Sequence, residues 1–445
     1  MIKLPKQFLD NMKVLLKDDF NSFLDSYNEE SVKAIRVNTK KTTYENLKSI
    51  MGDNLGDKVP YANAFYIDSD QKLGNSIFHH AGLFYVQEPS AMQPVLSATI
   101  KEDSIVLDMC ASPGGKSGQI AELLNDDGLL VANEIITNRA KILKENMDRL
   151  GYKNVIVTST PPENLTRLGN IFDVIILDAP CSGEGLFRRA PQACDEWNSG
   201  INEMNSVRQL EILGYAKKLL KPNGVIIYST CTFSQIENEN VVETFLKENG
   251  DFKLLDINKN LLPYSFSLFD EKMRRVMPHK NKGEGQFYAC LKNTEEYQID
   301  VKCYNYLEDV KKSESKFVND FISTYTTLGK PKIKSYNGNI LLPPKKEINT
   351  KGLFVLKYGI TLGKIEKNRF VPHHNFFTSL SDYFKNKVNL NEENAIKYLS
   401  GEQVVLSDNL QNGYCVVCYQ GFALGGGKIT DGRINNLYPK YLRIN

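Results

Sequence analysis

The sequence predicts an α/β protein built on a doubly wound parallel sheet, with smaller units before and after it. Three observations lead there. Five apolar runs, SIVLDMC, LLVANEI, NVIVTS, DVIILDAP and GVIIYSTC, recur between residues 104 and 231, each short enough for a buried strand. Amphipathic stretches such as KSGQIAELL and NRAKILKENMDRL separate them, and strands alternating with helices form parallel sheets covered on both faces. The chain has 445 residues, more than one hydrophobic core usually serves, so two to four domains are expected.

In chain order, residues 1–95 open with the helical stretch LPKQFLDNMKVLLKDDFNSFLDSYN and continue through the extended piece AIRVNT, an α+β extension ahead of the sheet. Residues 96–295 hold the five strands. After ACLKN the chain turns Lys- and Tyr-rich with the loop signals YNGN and PPKK. An accessory unit over 300–382 is therefore expected, beginning near 300 and using KGLFVLKYGITLGKIE for its own strands. The final unit, 385–445, is rich in Gly and aromatic residues, as suits a small β-rich module.

Composition narrows the function classes. Apolar residues make up 41% of the chain, yet no run approaches the roughly 18 apolar residues of a membrane span. The N-terminus lacks a basic segment followed by an apolar block, so no secretory signal is expected and a cytoplasmic location follows. Net charge is only +2, which hides any global nucleic-acid footprint; the basic runs KKTTYENLK, FRRAP, KMRRVMPHKNK, KPKIK and PPKKE could track phosphates, though each alone reads first as a solvated face. The eight cysteines (110, 181, 194, 231, 290, 303, 415 and 418) are scattered, unlike a disulfide framework. Cys415 and Cys418 form a CxxC, but within a strand-like run without a second pair or a nearby histidine, so they read as core or edge-strand residues rather than a metal or redox site. Four of the five histidines occur as adjacent pairs, His79–His80 and His373–His374, too close for the i, i+4 spacing of a helical zinc site; no metal is expected.

In an open parallel sheet, ligands bind beyond the carboxyl ends of the strands. The first strand ends in CASPGGK, where Ser112, Pro113, Gly114 and Gly115 make a tight loop before a helix, able to bring backbone N–H groups to a ligand. It is neither GxGxxG nor a Walker loop, so a phosphate grip is the weaker reading and a ligand carboxylate fits equally well. The second strand ends at Asn133 and Glu134, about 20 residues past the glycines, where an acidic side chain holds ribose hydroxyls in such folds. The fourth strand ends in DAPCSGEG, with Asp178 and Cys181, and the fifth in YSTCTF, with Cys231. Position alone leaves two readings level: small buried hydrophobes, or a thiolate nucleophile beside a second thiol and a carboxylate.

These motifs resemble the RNA cytosine-C5 methyltransferases of the NSUN/RsmF type, especially the bacterial RsmF-like branch that acts on 16S ribosomal RNA. CASPGGKS resembles the family's S-adenosylmethionine loop, DAPCSGEG its fourth motif, STCTFSQIENE its sixth, and PHKNKGEGQFYAC its closing strand pair. RVNT and YVQEPSAM resemble segments upstream of the catalytic domain, and residues 385–445 more loosely resemble its PUA-like RNA-binding tail. The resemblance implies a Rossmann-like methyltransferase domain that binds S-adenosyl-L-methionine through Cys110, Ala111, Ser112, Pro113, Gly114, Gly115 and Lys116, with Glu134 on the ribose, Arg139 nearby and Asp178 facing cofactor and base. It further implies that Cys231 attacks carbon 6 of cytosine, that Cys181 serves release, and that Asp178, protonated or hydrogen-bonded at the ring nitrogen, stabilises the charge formed there. RNA is the implied partner, 16S rRNA or the small subunit, bound by a monomer; a tRNA methyltransferase and a catalytically silent assembly factor are the alternatives. One departure from the family stands out. Pro161 occupies the place of the Asp usually near the adenine, with Glu163 a substitute at best. Lys116 is expected to serve the loop and nearby backbone carbonyls, Arg188 and Arg189 to face phosphate or solvent, and Trp197 to pack rather than stack on a base.

Overall fold

The computed structural model describes residues 2–296, 307–405 and 410–444; Cys303 and the expected start of the accessory unit near 300 lie outside the described residues. The central sheet comprises β1 (Ile105–Asp108), β2 (Leu129–Asn133), β3 (Val155–Thr158), β4 (Phe172–Asp178), β5 (Leu220–Thr230), β6 (Phe252–Leu254), β7 (Met273–Val276), β8 (Gln286–Asn293) and β9 (Val355–Tyr358). Its order is β7-β8-β5-β4-β1-β2-β3-β9, with β6 paired to β8. The five strands from β1 to β5 run parallel, and β7, β8 and β9 are antiparallel additions.

Because both faces of a parallel sheet are covered, its strands can be apolar throughout. Alternation still sorts them: Ile105 and Leu107 of β1 with Ile175 and Leu177 of β4 enter one core, while Val106, Val174 and Ile176 enter the other. The connecting helices α1 (Gly115–Leu123), α2 (Thr137–Leu150), α3 (Ser199–Leu219) and α4 (Glu239–Glu248) supply the covering layers. The chain leaves β1 towards β2 and β3, then returns to β4 on β1's other side. The crevice this reversal opens lies beyond the carboxyl ends of β1 and β4.

The N-terminal unit has helices Lys6–Leu16 and Phe20–Asp25 and a three-stranded antiparallel sheet, with Lys33–Val37 between Ala64–Ile67 and Phe84–Gln87. Arg36 of RVNT, 2% exposed, ion-pairs with Glu122 of α1, donates from Nε to Gln87 Oε1 at 3.0 Å and from Nη2 to the carbonyl of Gly115 at 3.3 Å. Asn38 donates to the carbonyls of Gly82 and Leu150. The Arg36 bonds fasten the N-terminal sheet to the helix that begins at the crevice, and Asn38 ties it to the end of α2.

One segment differs from its expected place. Val355–Tyr358, expected to serve the accessory unit's own sheet, instead completes the central sheet against β3. The reason is edge closure: β3 would otherwise present unpaired backbone groups, and Lys357 seals the junction by reaching Asp148 of α2 at 2.6 Å. The remaining C-terminal strands form two five-stranded sheets, one within 308–372 and one within 387–436. In the second, strand Gly413–Tyr419 sends Cys415 into a core shared with the N-terminal sheet and Cys418 into a different one. Residues three apart on a strand face opposite ways, so this CxxC cannot form a joint site.

Candidate active site

The carboxyl ends of β1, β4 and β5 surround a cavity of about 230 Å³. Its walls include Asp108, Cys110, Ala111, Ser112, Pro113, Gly115, Lys116, Asp178 and Cys231, together with Tyr85 and Gln87 from the N-terminal sheet, Arg189, and Gln286 at the start of β8. Gly114, Glu134, Arg139 and Cys181 adjoin these residues, in the chain or by contact, without lining the cavity.

The loop after β1 is held from below. Gly114 adopts φ +115°, and a Cβ there would come within 3.1 Å of both Leu143 and Met147 of α2, so the tight turn requires glycine. Arg139 donates to the Ser112 carbonyl at 3.1 Å and accepts the Ser112 hydroxyl at its own carbonyl at 3.0 Å, while Asn146 donates to the carbonyl of Pro113. Glu134 is buried; its Oε1 accepts the N–H of Ile136 at 2.9 Å and its Oε2 lies 3.4 Å from Arg139. Pro161 leads into a short helix, Pro162–Leu165, on which Glu163 is exposed.

Asp178 gathers three donors. Lys116 Nζ lies 2.8 Å from Oδ2, and Oδ1 accepts from Ser229 Oγ at 2.8 Å and Gln286 Nε2 at 3.3 Å. Lys116 therefore pairs with a carboxylate rather than serving backbone carbonyls as expected. Burial works against its charge, but Asp178 more than offsets that and holds its pKa above the usual lysine value. The cause is β-strand register: Asp178 ends β4, next to β1, so the lysine at the second position of α1 reaches it across the crevice.

The two thiols meet at the ends of neighbouring parallel strands, with Cys181 Sγ 3.3 Å from Cys231 Sγ. Gly185, last residue of DAPCSGEG, donates its N–H to the Cys231 carbonyl at 2.9 Å, and a Cβ there would lie 2.8 Å from that oxygen. The glycine thus lets the fourth motif grip the sixth. The hydrogen bond to Cys231 and then burial push the Cys181 thiol well above the ordinary cysteine range. Burial does the same to Cys110, which suits it to a wall rather than a nucleophile.

Asp108 carries no signal in the motif reading, yet it faces the cavity. Its Oδ2 accepts from Ser117 Oγ at 2.6 Å, while its buried Oδ1 has no hydrogen-bond partner among the described residues. Burial raises this carboxyl to about 7, against the Ser117 hydrogen bond. An unmatched carboxyl oxygen in a cavity with a glycine loop suits a ligand carrying an ammonium group, as S-adenosylmethionine does. Arg188 faces neither phosphate nor solvent: it is buried against Glu284 at 2.9 Å and donates to the carbonyls of Ser26 and Gly283. Arg189 is exposed at the mouth, and Trp197 packs against Phe8 and Phe187. A larger cavity, about 340 Å³, lies at the amino ends of the strands, where Lys40 and Lys41 are occupied by the carbonyls of Leu124, Ala81 and Arg149. It lacks the strand-end motifs.

Comparison with known proteins bears on the family and the fold. Residues 95–292 match the family described as 16S rRNA methyltransferase RsmB/F, residues 4–89 the N-terminal domain of 16S rRNA methyltransferase RsmF, 316–380 the RsmF first C-terminal domain, and 385–444 the methyltransferase RsmF PUA domain. Among solved structures, a methyltransferase homologue from Pyrococcus horikoshii is 27% identical with a TM-score of 0.55, covering 66% of this chain and 96% of its own. NSun6 from the same organism, solved with SFG, is 24% identical with a TM-score of 0.60, over 66% of this chain and 99% of its own, and shares the fold. Fold and site define an S-adenosylmethionine-dependent methyltransferase with a C-terminal PUA domain. Ribosomal RNA small subunit methyltransferase F from Aeromonas salmonicida is 32% identical over 99% of this chain and 97% of its own length, and that from Psychromonas ingrahamii 31% over 99% and 97%. The chain belongs to the RsmF family of 16S rRNA methyltransferases. Among the described residues, no helix is long and apolar enough to cross a membrane.

Proposed function

We propose that the protein forms 5-methylcytosine in 16S ribosomal RNA, with Cys231 adding to carbon 6 of the target base and Cys181 acting in release. The observation that carries this reading is the pair of thiols 3.3 Å apart beside the Asp178–Lys116 ion pair. Carbon 5 of cytosine is too poor a nucleophile to take a methyl group directly, so a thiolate must first push electron density onto it. S-adenosylmethionine supplies the electrophilic methyl group. In this reading Cys110–Lys116 and Asp108 hold the cofactor's amino-acid end, Glu134 its ribose, and Arg139 braces the loop. Asp178, in its protonated form, donates to the ring nitrogen and stabilises the negative charge that attack develops there, with the Lys116 ammonium beside it.

The thiols then act in sequence. Cys181 holds its proton tightly because of its hydrogen bond with the Cys231 sulfur and then its burial. The first influence ends once Cys231 is bonded to carbon 6. Cys181 can then lose its proton to solvent and, as a thiolate, take the proton from carbon 5, which lets the Cys231–carbon 6 bond break. Units over 1–95, 96–295, 300–382 and 385–445, a monomeric state and a reducing cytoplasm, which both thiols need, belong to this reading.

A denaturing gel tests it. With S-adenosylmethionine and small-subunit rRNA, Cys181→Ala is expected to accumulate a slow, RNase-sensitive protein–RNA band that the double variant Cys181→Ala/Cys231→Ala lacks. A band from Cys231→Ala instead would reverse the roles. Bisulfite sequencing of RNA from a deletion strain should lose protection in 16S rRNA; loss in tRNA alone would overturn the target.

A further inference from the structure

The residues flanking each thiol are held by two consecutive buried side chains, Glu237 and Asn238, in the loop between β5 and α4. Glu237 accepts the N–H of Ser182 at 3.0 Å and the Ser182 hydroxyl, Asn202 Nδ2 at 2.8 Å, and Gln209 Nε2 at 3.0 Å. Gln209 also donates to the carbonyl of Pro180 at 3.0 Å, so both neighbours of Cys181 hang from one cluster made by Glu237 with Asn202 and Gln209 of α3. Asn238 does the same for Cys231: its Oδ1 accepts the Thr230 hydroxyl, and its Nδ2 donates to the Thr232 carbonyl at 3.0 Å. The two halves are joined by Ser182 Oγ and Thr232 Oγ1, 2.8 Å apart.

This arrangement is costly for stability alone. Glu237 is 0% exposed and, among the described residues, forms no ion pair, so its burial is offset only by neutral donors. A satisfied polar network of this kind rigidifies one geometry, and what it fixes here is the spacing of two sulfurs. We propose that Glu237 and Asn238, through the Ser182–Thr232 bridge, are positioning residues that keep Cys181 within reach of the base held by Cys231. The inference rests on the two-thiol reading above. Attack needs only Cys231 and the base, whereas release needs both sulfurs on one nucleotide, so loosening the bridge slows release more than attack.

The test uses the full-length protein with S-adenosylmethionine and hypomethylated small-subunit rRNA. Thr232→Val keeps the branched shape and removes the hydroxyl; kcat should fall roughly tenfold, within the 10²-fold that a 1 Å misplacement can cost. KM for RNA and cofactor affinity by calorimetry should hold, and the covalent band should appear in steady state. Thr232→Ser should restore turnover and clear the band, and Glu237→Gln should act like Thr232→Val. If Glu237→Gln fails to bind cofactor, the Thr232 pair alone decides. Wild-type turnover without a band in Thr232→Val, or parallel loss of kcat, RNA KM and cofactor affinity, would overturn the proposal. Cys181→Ala run alongside separates the two claims: no band from Cys181→Ala means that the two-thiol reading has failed, whereas a band from it and none from Thr232→Val means that only the positioning role has.

Discussion

Two pairs of cysteines in this chain invite opposite conclusions from the sequence and from the structure. Cys415 and Cys418 are three residues apart, yet strand geometry sends them into separate cores. Cys181 and Cys231 are fifty residues apart, yet neighbouring parallel strands end together and bring their sulfurs to 3.3 Å. Spacing along the chain is thus a poor guide to shared chemistry in a sheet, and strand order is a good one. The near pair is packing. The distant pair stands at the cavity with a lysine–carboxylate pair beside it.

The largest expected effect sits on the distant pair. Cys231→Ala should lower methylation of rRNA by roughly 10³-fold or more, measured with labelled cofactor, with cofactor binding retained. Next comes the acid across the cavity. Asp108→Asn should weaken S-adenosylmethionine binding at least about tenfold, the scale of one hydrogen bond to a charged group, by calorimetry. The same change should stabilise the protein without ligand. With its carboxyl raised to about 7 in the fold, Asp108 favours folding most fully below the unfolded value near 4, and that contribution is lost as pH rises through about 7. At about pH 8 the variant should therefore melt higher than wild type, and a lower melting temperature would count against the buried orphan oxygen.

A smaller effect reads Glu134, which should bridge the ribose. Glu134→Ala should weaken cofactor affinity without unfolding the chain, and unchanged calorimetry removes the assignment. A pH series sharpens the thiol pair further. Because Cys181 must be a thiolate to take the carbon-5 proton, and an ordinary thiol titrates at about 8.5, release should quicken from about pH 7 to about pH 9, so any wild-type covalent band should fade over that interval. A band that grows with pH would contradict a thiolate base. The smallest effect belongs to the near pair. Cys415→Ala and Cys418→Ala should each cost about 1 kcal/mol of stability through lost packing, with methylation unchanged; a shared loss of activity would break the comparison.

The five parallel strands were legible because each is an apolar run bounded by helical periodicity, and that pattern is local. The strand-end motifs were legible for the same reason, since a loop that turns tightly onto a helix needs its glycines wherever the rest of the chain goes. Val355–Tyr358 was not, because a short apolar strand reads alike whether it joins its own unit or closes the edge of β3. Arg188 followed a catalytic motif and read as phosphate-facing or solvent-facing; it is buried against Glu284, nearly a hundred residues on.

What the sequence by itself determined is the chemistry available at each strand end: a glycine loop at Gly114 and Gly115, carboxyls at Glu134 and Asp178, thiols at Cys181 and Cys231. Only the tertiary structure decided which of these groups share a space. It paired Lys116 with Asp178, left Asp108 Oδ1 unmatched in the cavity, and hung both thiols from Glu237 and Asn238. The physical reason is that residue type and local periodicity act over a turn or a strand, whereas strand order and burial set the distances and fields between groups far apart in the chain.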